Sequence, residues 1–334
     1  MEVKTEKQID YLLKITDKIG LIEHCRGNQP NYDEGWCVDD NARALQICLR
    51  YENLKLKNVK KIYFDFLKLA LKDNGFYDDL NNDLTWKENF EIGGEHCGRA
   101  LAALGEIINF DQDLSKEVKQ IFDRIYGYVR QNVTLHTRVV AQTILGLQYY
   151  RSNEIDFWSE KLVDKYNQEI NNEWKWFESE ILYDSGRLPM ALLVAYQKNE
   201  REKYFETAIE SLNFLTKLIF DKENDYFSFP GNDGWFTKSG NRAKFGQQPV
   251  EAGSMVEVYT LAYEVTKNKK YKDLAVKAFD WFLGKNILGI SLINEKTGGV
   301  YDGLEKEGAS LNQGAESVLS YLIAAKEIEK LNRD

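Results

Sequence analysis

The chain is short of the residues that break or staple a fold. Its 334 residues include only 4 prolines, 4 cysteines, 3 methionines and 3 histidines. No proline clusters with glycine, so no linker or low-complexity segment divides the chain, and residues 1–334 read as a single domain. Cys25, Cys37, Cys48 and Cys97 form no CxxC pair, which predicts reduced thiols in the cytosol and no structural zinc or other metal site. No apolar run reaches bilayer length. The first twenty residues spread charges through an amphipathic helical pattern, unlike a secretory signal. Basic residues are in deficit, 44 against 53 acidic, for a net charge of -9. With no basic stripe, neither nucleic acid nor an anionic membrane is an expected partner. GxGxxG, Walker, HExxH and GxSxG patterns are all missing, so no cofactor is expected.

Two kinds of helical segment alternate along the chain. The first kind is amphipathic. Ile62, Tyr63, Phe66, Leu67 and Ala70 recur at helical spacing among lysines, as do Leu114, Val118, Ile121, Ile125 and Val129. Such helices bury one stripe and wet the other. The second kind is apolar nearly all round and rich in small residues, as in 98–105, 139–147, 191–195 and 318–325. A helix with no wet side belongs inside. Outer helices are predicted near 4–19, 57–73, 113–131, 155–169, 201–219 and 269–285. Inner helices are predicted near 39–51, 96–109, 136–150, 187–198, 249–267 and 312–330. Twelve helices in outer–inner alternation, with a repeat of about 56 residues, predict an all-α fold closed into an (α/α)6 toroid. An open solenoid is the structural alternative.

The alternation predicts where a site would lie. Four inner helices carry arginine in the first turn, Arg43, Arg99, Arg138 and Arg187, and the last two carry Glu251 and Glu316. Inner helices of a toroid point the same way, so their first turns converge on one rim. The loops before them (27–39, 75–95, 171–186, 224–248 and 288–311) are long, polar and aromatic. Long loops at one end of a compact scaffold are where sites usually sit.

The rim offers several candidates. Asp39 or Asp40 suits a helix N-cap, which frees the other to act as an acid or base. Glu95 favours its helix start, and His96 and His136 follow it onto the rim. Trp174 and Trp176 precede Glu178, and Asp184 or Ser185 suits a cap. Glu251 lies in the first turn of an apolar helix, where a carboxylate needs a partner or a raised pKa. Asp302 sits in a glycine-flanked loop, Asn312 suits a cap, and Glu316 faces the axis. The arginines read either as a ring of ion pairs or as a fork for a ligand carboxylate or phosphate.

Several segments carry a resemblance: GLIEH at 20–24, GWCVDDNARAL at 35–45, EHCGRALAALG at 95–105, WKWFESEILYDSGRLPMALL at 174–193, QQPVEAGSMVE at 247–257 and DGLEKEGASLNQGAESVLSYLIA at 302–324. In this order they resemble a bacterial family of six-hairpin toroids, glycosidase-like domains that occur alone or attached to glycosyltransferase-like proteins. His96 departs from the family's pattern, which often has an acid there, and so does His136-Thr137 before Arg138. WFLGKN at 281–286 is similar to a segment of toroidal endoglucanases.

The resemblance implies carbohydrate chemistry. An inverting glycoside hydrolase would use two carboxylates, Asp40 and Glu251, with Glu178, Asp184 and Asp302 in reserve. Trp36, Trp176 and Trp235 would stack sugar rings, while Arg43, Arg187, Gln248 and Asn312 would hold hydroxyls. Asp39, Glu95, His96, Arg99, His136, Arg138 and Glu316 would complete the binding surface for an oligosaccharide or glycoside. Phosphorolysis would place phosphate at the arginines. A sugar epimerase or isomerase would instead use His96 and His136 as acid and base. A non-catalytic glycan-binding domain assisting a glycosyltransferase would turn nothing over.

Overall fold

The computed structural model describes residues 3–73, 75–87, 94–111, 115–131 and 136–333. Among the described residues twelve α-helices run in chain order as six outer–inner pairs. The first two pairs are α1 (Glu6–Lys14) with α2 (Val38–Arg50), and α3 (Leu54–Ala70) with α4 (Glu95–Phe110). The middle pairs are α5 (Ser115–Gln131) with α6 (Thr137–Leu147), and α7 (Ile155–Glu169) with α8 (Arg187–Asn199). The last are α9 (Glu202–Ile219) with α10 (Pro249–Thr266), and α11 (Lys269–Asp280) with α12 (Ala315–Arg333). Leu114, expected on an outer helix, lies outside the described residues.

Each inner helix packs on the next, α2 on α4, α4 on α6, α6 on α8, α8 on α10, α10 on α12, and α12 returns to α2. That last contact closes the ring and excludes the open solenoid. The small residues explain the close approach. An added Cβ on Gly105 of α4 would lie 2.5 Å from the Gly146 carbonyl oxygen of α6, and one on Gly146 would lie 2.4 Å from that of Leu101. Two of the outer helices, α3 and α11, start on polar side-chain caps. The Asn53 side chain accepts from the backbone of Lys55 and Leu56 at the start of α3, and Asn268 accepts from Lys270 at the start of α11. Among the described residues no helix is long and apolar enough to cross a membrane.

Boundaries differ from expectation where side chains take the backbone elsewhere. The last outer helix stops at Asp280 rather than 285. There the Asn286 side chain donates to the carbonyls of Trp281 and Ile290, and Gly284 turns the chain at a φ of 102°. The last inner helix starts at Ala315, so Asn312 is not its cap and instead accepts from the backbone of Gly27. Neither Asp39 nor Asp40 caps α2: the cap position is Cys37, and both aspartates lie inside the first turn. Gly186 holds the cap position of α8, not Asp184 or Ser185. The Ser185 hydroxyl turns back to donate to the Leu182 carbonyl.

The loops are stitched by two-residue strand pairs. Trp36 and Cys37 pair antiparallel with Leu80 and Asp79, which brings a second adjacent pair, Asp78-Asp79, beside Asp39-Asp40. Ile181 and Glu180 pair with Phe236 and Thr237. The strand-like piece at 226–229 pairs Tyr226 and Phe227 with Asp221 and Phe220.

Candidate active site

Ion pairs link the starts of five inner helices, and a hydrogen bond ties in the sixth, α10. Arg43 of α2 binds Asp40 on its own helix and Glu316 of α12, each at 2.9 Å. Arg99 of α4 reaches Asp39 of α2 at 2.7 Å and Asp184, just before α8, at 3.0 Å. Arg138 of α6 binds Glu95 of α4 at 3.0 Å and Glu178 at 3.2 Å. Glu251 of α10 accepts from the Asp184 backbone at 2.9 Å. The arginines are therefore taken up in ion pairs, one of the two roles expected of them, but in separate networks rather than one closed ring. Such buried pairs fix geometry more surely than they add stability.

A pocket of about 220 Å³ opens where the ring closes, between the starts of α2 and α12. Asp39, Asp40, Arg43, Gln248, Asp302 and Glu316 line it, six residues singled out in the sequence. Glu23 and His24 join them from the first loop. Glu23 is not among the residues singled out in the sequence, although the GLIEH segment contains it. The Asp302 carboxylate accepts from the Gly314 backbone at 2.6 Å and the Ser317 hydroxyl at 2.7 Å, which fixes it on the α12 side.

The carboxyls of this pocket do not titrate alike. Burial pushes Asp40 up to about 6; Arg43 opposes the rise, and Glu316 and Asp39 reinforce it. Burial, with Asp40 and Asp79 nearby, pushes Glu23 up to about 8. Of the two, Glu23 holds its proton to higher pH. Burial also raises Asp302 and pushes Asp78 well above the usual carboxylate range.

Beneath the pocket lie groups sealed from solvent. Asp184 is fully buried, its backbone in the left-handed region at a φ of 51°. Burial opposes its charge, but Arg187, Arg99 and Arg43 outweigh that and hold it at about 2. Glu251 is 3% exposed, and burial drives it well above the usual range, with Asp184 beside it. It is not among the residues that line the pocket.

Other candidates fall elsewhere. Glu95, Arg138 and Glu178 form a separate cluster in which Tyr183 donates to Glu95 at 2.5 Å and Thr137 to Glu178 at 2.5 Å. Trp36 and Trp176 are 2% and 0% exposed, so neither ring has a face free for a sugar. Their apolar bodies fill the core under the loops, which overrides the platform role expected of them. Trp174 is buried too and donates to the Glu178 carbonyl at 2.8 Å. Trp235 is half-buried, 5.9 Å from the Tyr183 ring. His96 is buried: Nε2 lies 2.9 Å from the Phe76 carbonyl and Nδ1 3.6 Å from Asp78. Burial disfavours its charge, but Cys97, Asp39 and the Phe76 carbonyl prevail and raise it to about 9. His136 is exposed at the start of α6.

With the helix ring and its charged rim in place, comparison with solved structures decides the fold. A D-mannose isomerase superposes with a TM-score of 0.77 over 99% of this chain and 96% of its own, at 12% identity. The cellobiose 2-epimerase from Bacillus thermoamylovorans gives 0.75 over 98% and 96%, at 14% identity. The GH76A alpha-1,6-mannanase from Salegentibacter sp. gives 0.66 over 97% of both chains, at 11% identity. The chain is a six-hairpin (α/α)6 toroid. At such identities the likeness concerns the toroid fold alone. No family model matches the sequence, and no curated protein matches it.

Proposed function

We propose that this toroid is a carbohydrate-active enzyme, an inverting glycoside hydrolase working in the pocket between α2 and α12. Glu23 is the general acid. It gives its proton to the glycosidic oxygen as the bond from that oxygen to the anomeric carbon breaks. Asp40 is the general base. It takes a proton from the water whose oxygen bonds to the anomeric carbon from the opposite face, so the product sugar has the inverted configuration. Arg43 and Asp302 orient the sugar hydroxyls.

The observation that carries this reading is that Glu23 and Asp40 line one open pocket together; burial raises both carboxyls, Glu23 to about 8 and Asp40 to about 6. Environments that separate two acids in this way assign the base and the acid. Glu251, the other carboxylate expected to react, is not among the residues that line this pocket, and it accepts from the Asp184 backbone instead. The neighbours include enzymes named for D-mannose, cellobiose and alpha-1,6-mannan. An inactive variant of the mannanase, with two adjacent aspartates changed to alanine, forms a complex with alpha-1,6-mannotetrose; this chain carries Asp39-Asp40 at its pocket. His96 keeps its proton at neutral pH and is turned to Phe76, which supports the carboxylates over a histidine acid–base pair.

The test is a panel of gluco- and manno-configured oligosaccharides with the anomer of the released sugar followed by NMR. Hydrolysis with inversion is expected. Glu23→Gln and Asp40→Asn should each lower turnover by roughly 10²–10⁴-fold. Full activity in both variants would overturn the assignment. Epimerised sugar without cleavage would make the protein an epimerase, and sugar binding with no turnover a glycan-binding domain.

A further inference from the structure

The largest cavity described lies away from the rim, toward the C-terminal ends of the inner helices. It measures about 550 Å³. Its walls come from the later turns of α2, α8, α10 and α12 and from the chain just beyond α6. Leu49, Met190, Val194 and Leu261 make one part of the lining apolar. Phe110, 63% exposed, stands at its edge with its ring 5.9 Å from that of Tyr149, in an edge-on pair.

The charges of this cavity can be paired off. Its cations are Arg50, Lys326, Lys330 and Arg333, and its carboxylates are Glu106, Glu257, Glu264, Glu327 and Glu329. Arg50 binds Glu106 at 2.6 Å and Glu257 at 3.1 Å. Lys326 binds Glu329 at 2.9 Å, and Arg333 binds Glu329 as well. Lys330 binds Glu264 at 2.5 Å. Every cation is taken, and Glu327 alone among the carboxylates makes no ion pair or hydrogen bond among the described residues. Its side chain is partly exposed in the cavity, and burial holds its carboxyl up at about 7, against the pull of Arg50 and Lys330. A partly desolvated carboxylate with no ion-pair partner is the point in the cavity where a cationic ligand gains most. The surrounding helix ends add to the demand for positive charge, since a helix C-terminus carries partial negative charge.

We propose that this cavity is a second ligand site, which binds a protonated aliphatic amine through Glu327. The ammonium group pairs with the Glu327 carboxylate. The alkyl chain lies along Leu49, Met190, Val194 and Leu261. A monoanion finds no free cation here, and a neutral polyol leaves Glu327 unpaired.

Isothermal titration of the full chain with spermidine at low salt tests this. One saturable site is expected, and 1,8-octanediol, of similar length but uncharged, should not compete. Glu327→Gln keeps the shape and removes the charge, so it should weaken spermidine binding at least about tenfold. Glu329→Gln, on a carboxylate already paired at the edge of the cavity, should weaken it far less. Circular dichroism of each variant checks that the helices remain. Equal binding by the Glu327→Gln variant and the unmutated protein, or displacement by the diol, overturns the proposal. So does a stoichiometry of several weak sites, the mark of diffuse attraction to an acidic surface.

Discussion

The two ends of the toroid axis handle charge in opposite ways. The rim pocket sets five carboxylates, Glu23, Asp39, Asp40, Asp302 and Glu316, around one guanidinium, Arg43. The other end binds each of its four cations to a glutamate and leaves one glutamate over. A single chain of ion pairs joins the two levels, from Asp39 through Arg99, Asp184, Arg187, Glu257 and Arg50 to Glu106. Where partners are scarce, protons stay mobile near neutral pH. Where partners match, charge is locked and serves the framework.

The largest effect that could break this contrast is on stability. Arg50→Met takes the ion pair from Glu106, whose side chain is 6% exposed, and leaves Glu257, 2% exposed, to Arg187 alone. A loss of about 3–5 kcal/mol in urea unfolding is expected, as for buried pairs broken on one side. Arg43→Met should cost less. Its partner Glu316 is 37% exposed, and Asp40 is already raised to about 6, so protonation relieves it. If the two variants lost the same stability, the division of labour between the ends would fail.

Next in size is the pH profile of turnover. Asp40 must be ionised to act as base, so activity should fall as pH drops below about 6. Glu23 must hold its proton to act as acid, so activity should fall as pH rises above about 8. A bell centred near pH 7 is expected, with limbs that belong to the coupled pair rather than to either residue alone. Arg43→Met removes a charge that lowers Asp40, so the acid limb should move to higher pH. A flat profile from pH 5 to 9 would sink the acid–base pair.

Glu251 gives a subtler handle on the rim. Its folded pKa is raised, so the native state holds a proton that the unfolded chain releases above the ordinary value of about 4.3. The contribution of this group to stability therefore declines as pH climbs from that value toward its folded pKa. Glu251→Gln does not titrate. Its stability relative to the unmutated protein should improve between pH 4.5 and pH 8, measured by thermal unfolding. The opposite trend would mean that Glu251 is ionised and paired in solution.

Much of this contrast is legible in the residues, for particular reasons. Small apolar runs such as 98–105 have no wet face, so they name the inner ring. Arginines near the starts of four inner helices name the rim. The caps differ from expectation because Asp39, Asp40 and Asp184 find stronger partners in Arg99, Arg43 and Arg187 than in their own helix starts. Glu23 and Asp78 escape a reading of the sequence because their place at the rim is set by pairing between distant loops, Trp36–Cys37 with Leu80–Asp79, which no local pattern encodes. The tryptophans mislead because a ring that suits a sugar equally suits a core.

The smallest effects test whether backbone approach, rather than charge, holds the ring at both levels. An alanine at Gly105, beside Glu106, would put its Cβ 2.5 Å from the Gly146 oxygen. Backbone must move to admit it, at about 1–3 kcal/mol. At Gly98, nearer the rim, the contacts are 3.0 Å to the Gln142 Cβ and 3.2 Å to the Val139 oxygen. Gly98→Ala should cost less than Gly105→Ala. At Gly127, on outer helix α5, an added Cβ meets nothing within 4 Å. There the usual helix preference for alanine acts alone, and Gly127→Ala should stabilise by roughly 0.5–1 kcal/mol. The three changes are chemically the same and differ only in what the methyl meets. If urea unfolding gave them one sign, the close approach of α4 and α6 would not be what sets the spacing of the inner ring.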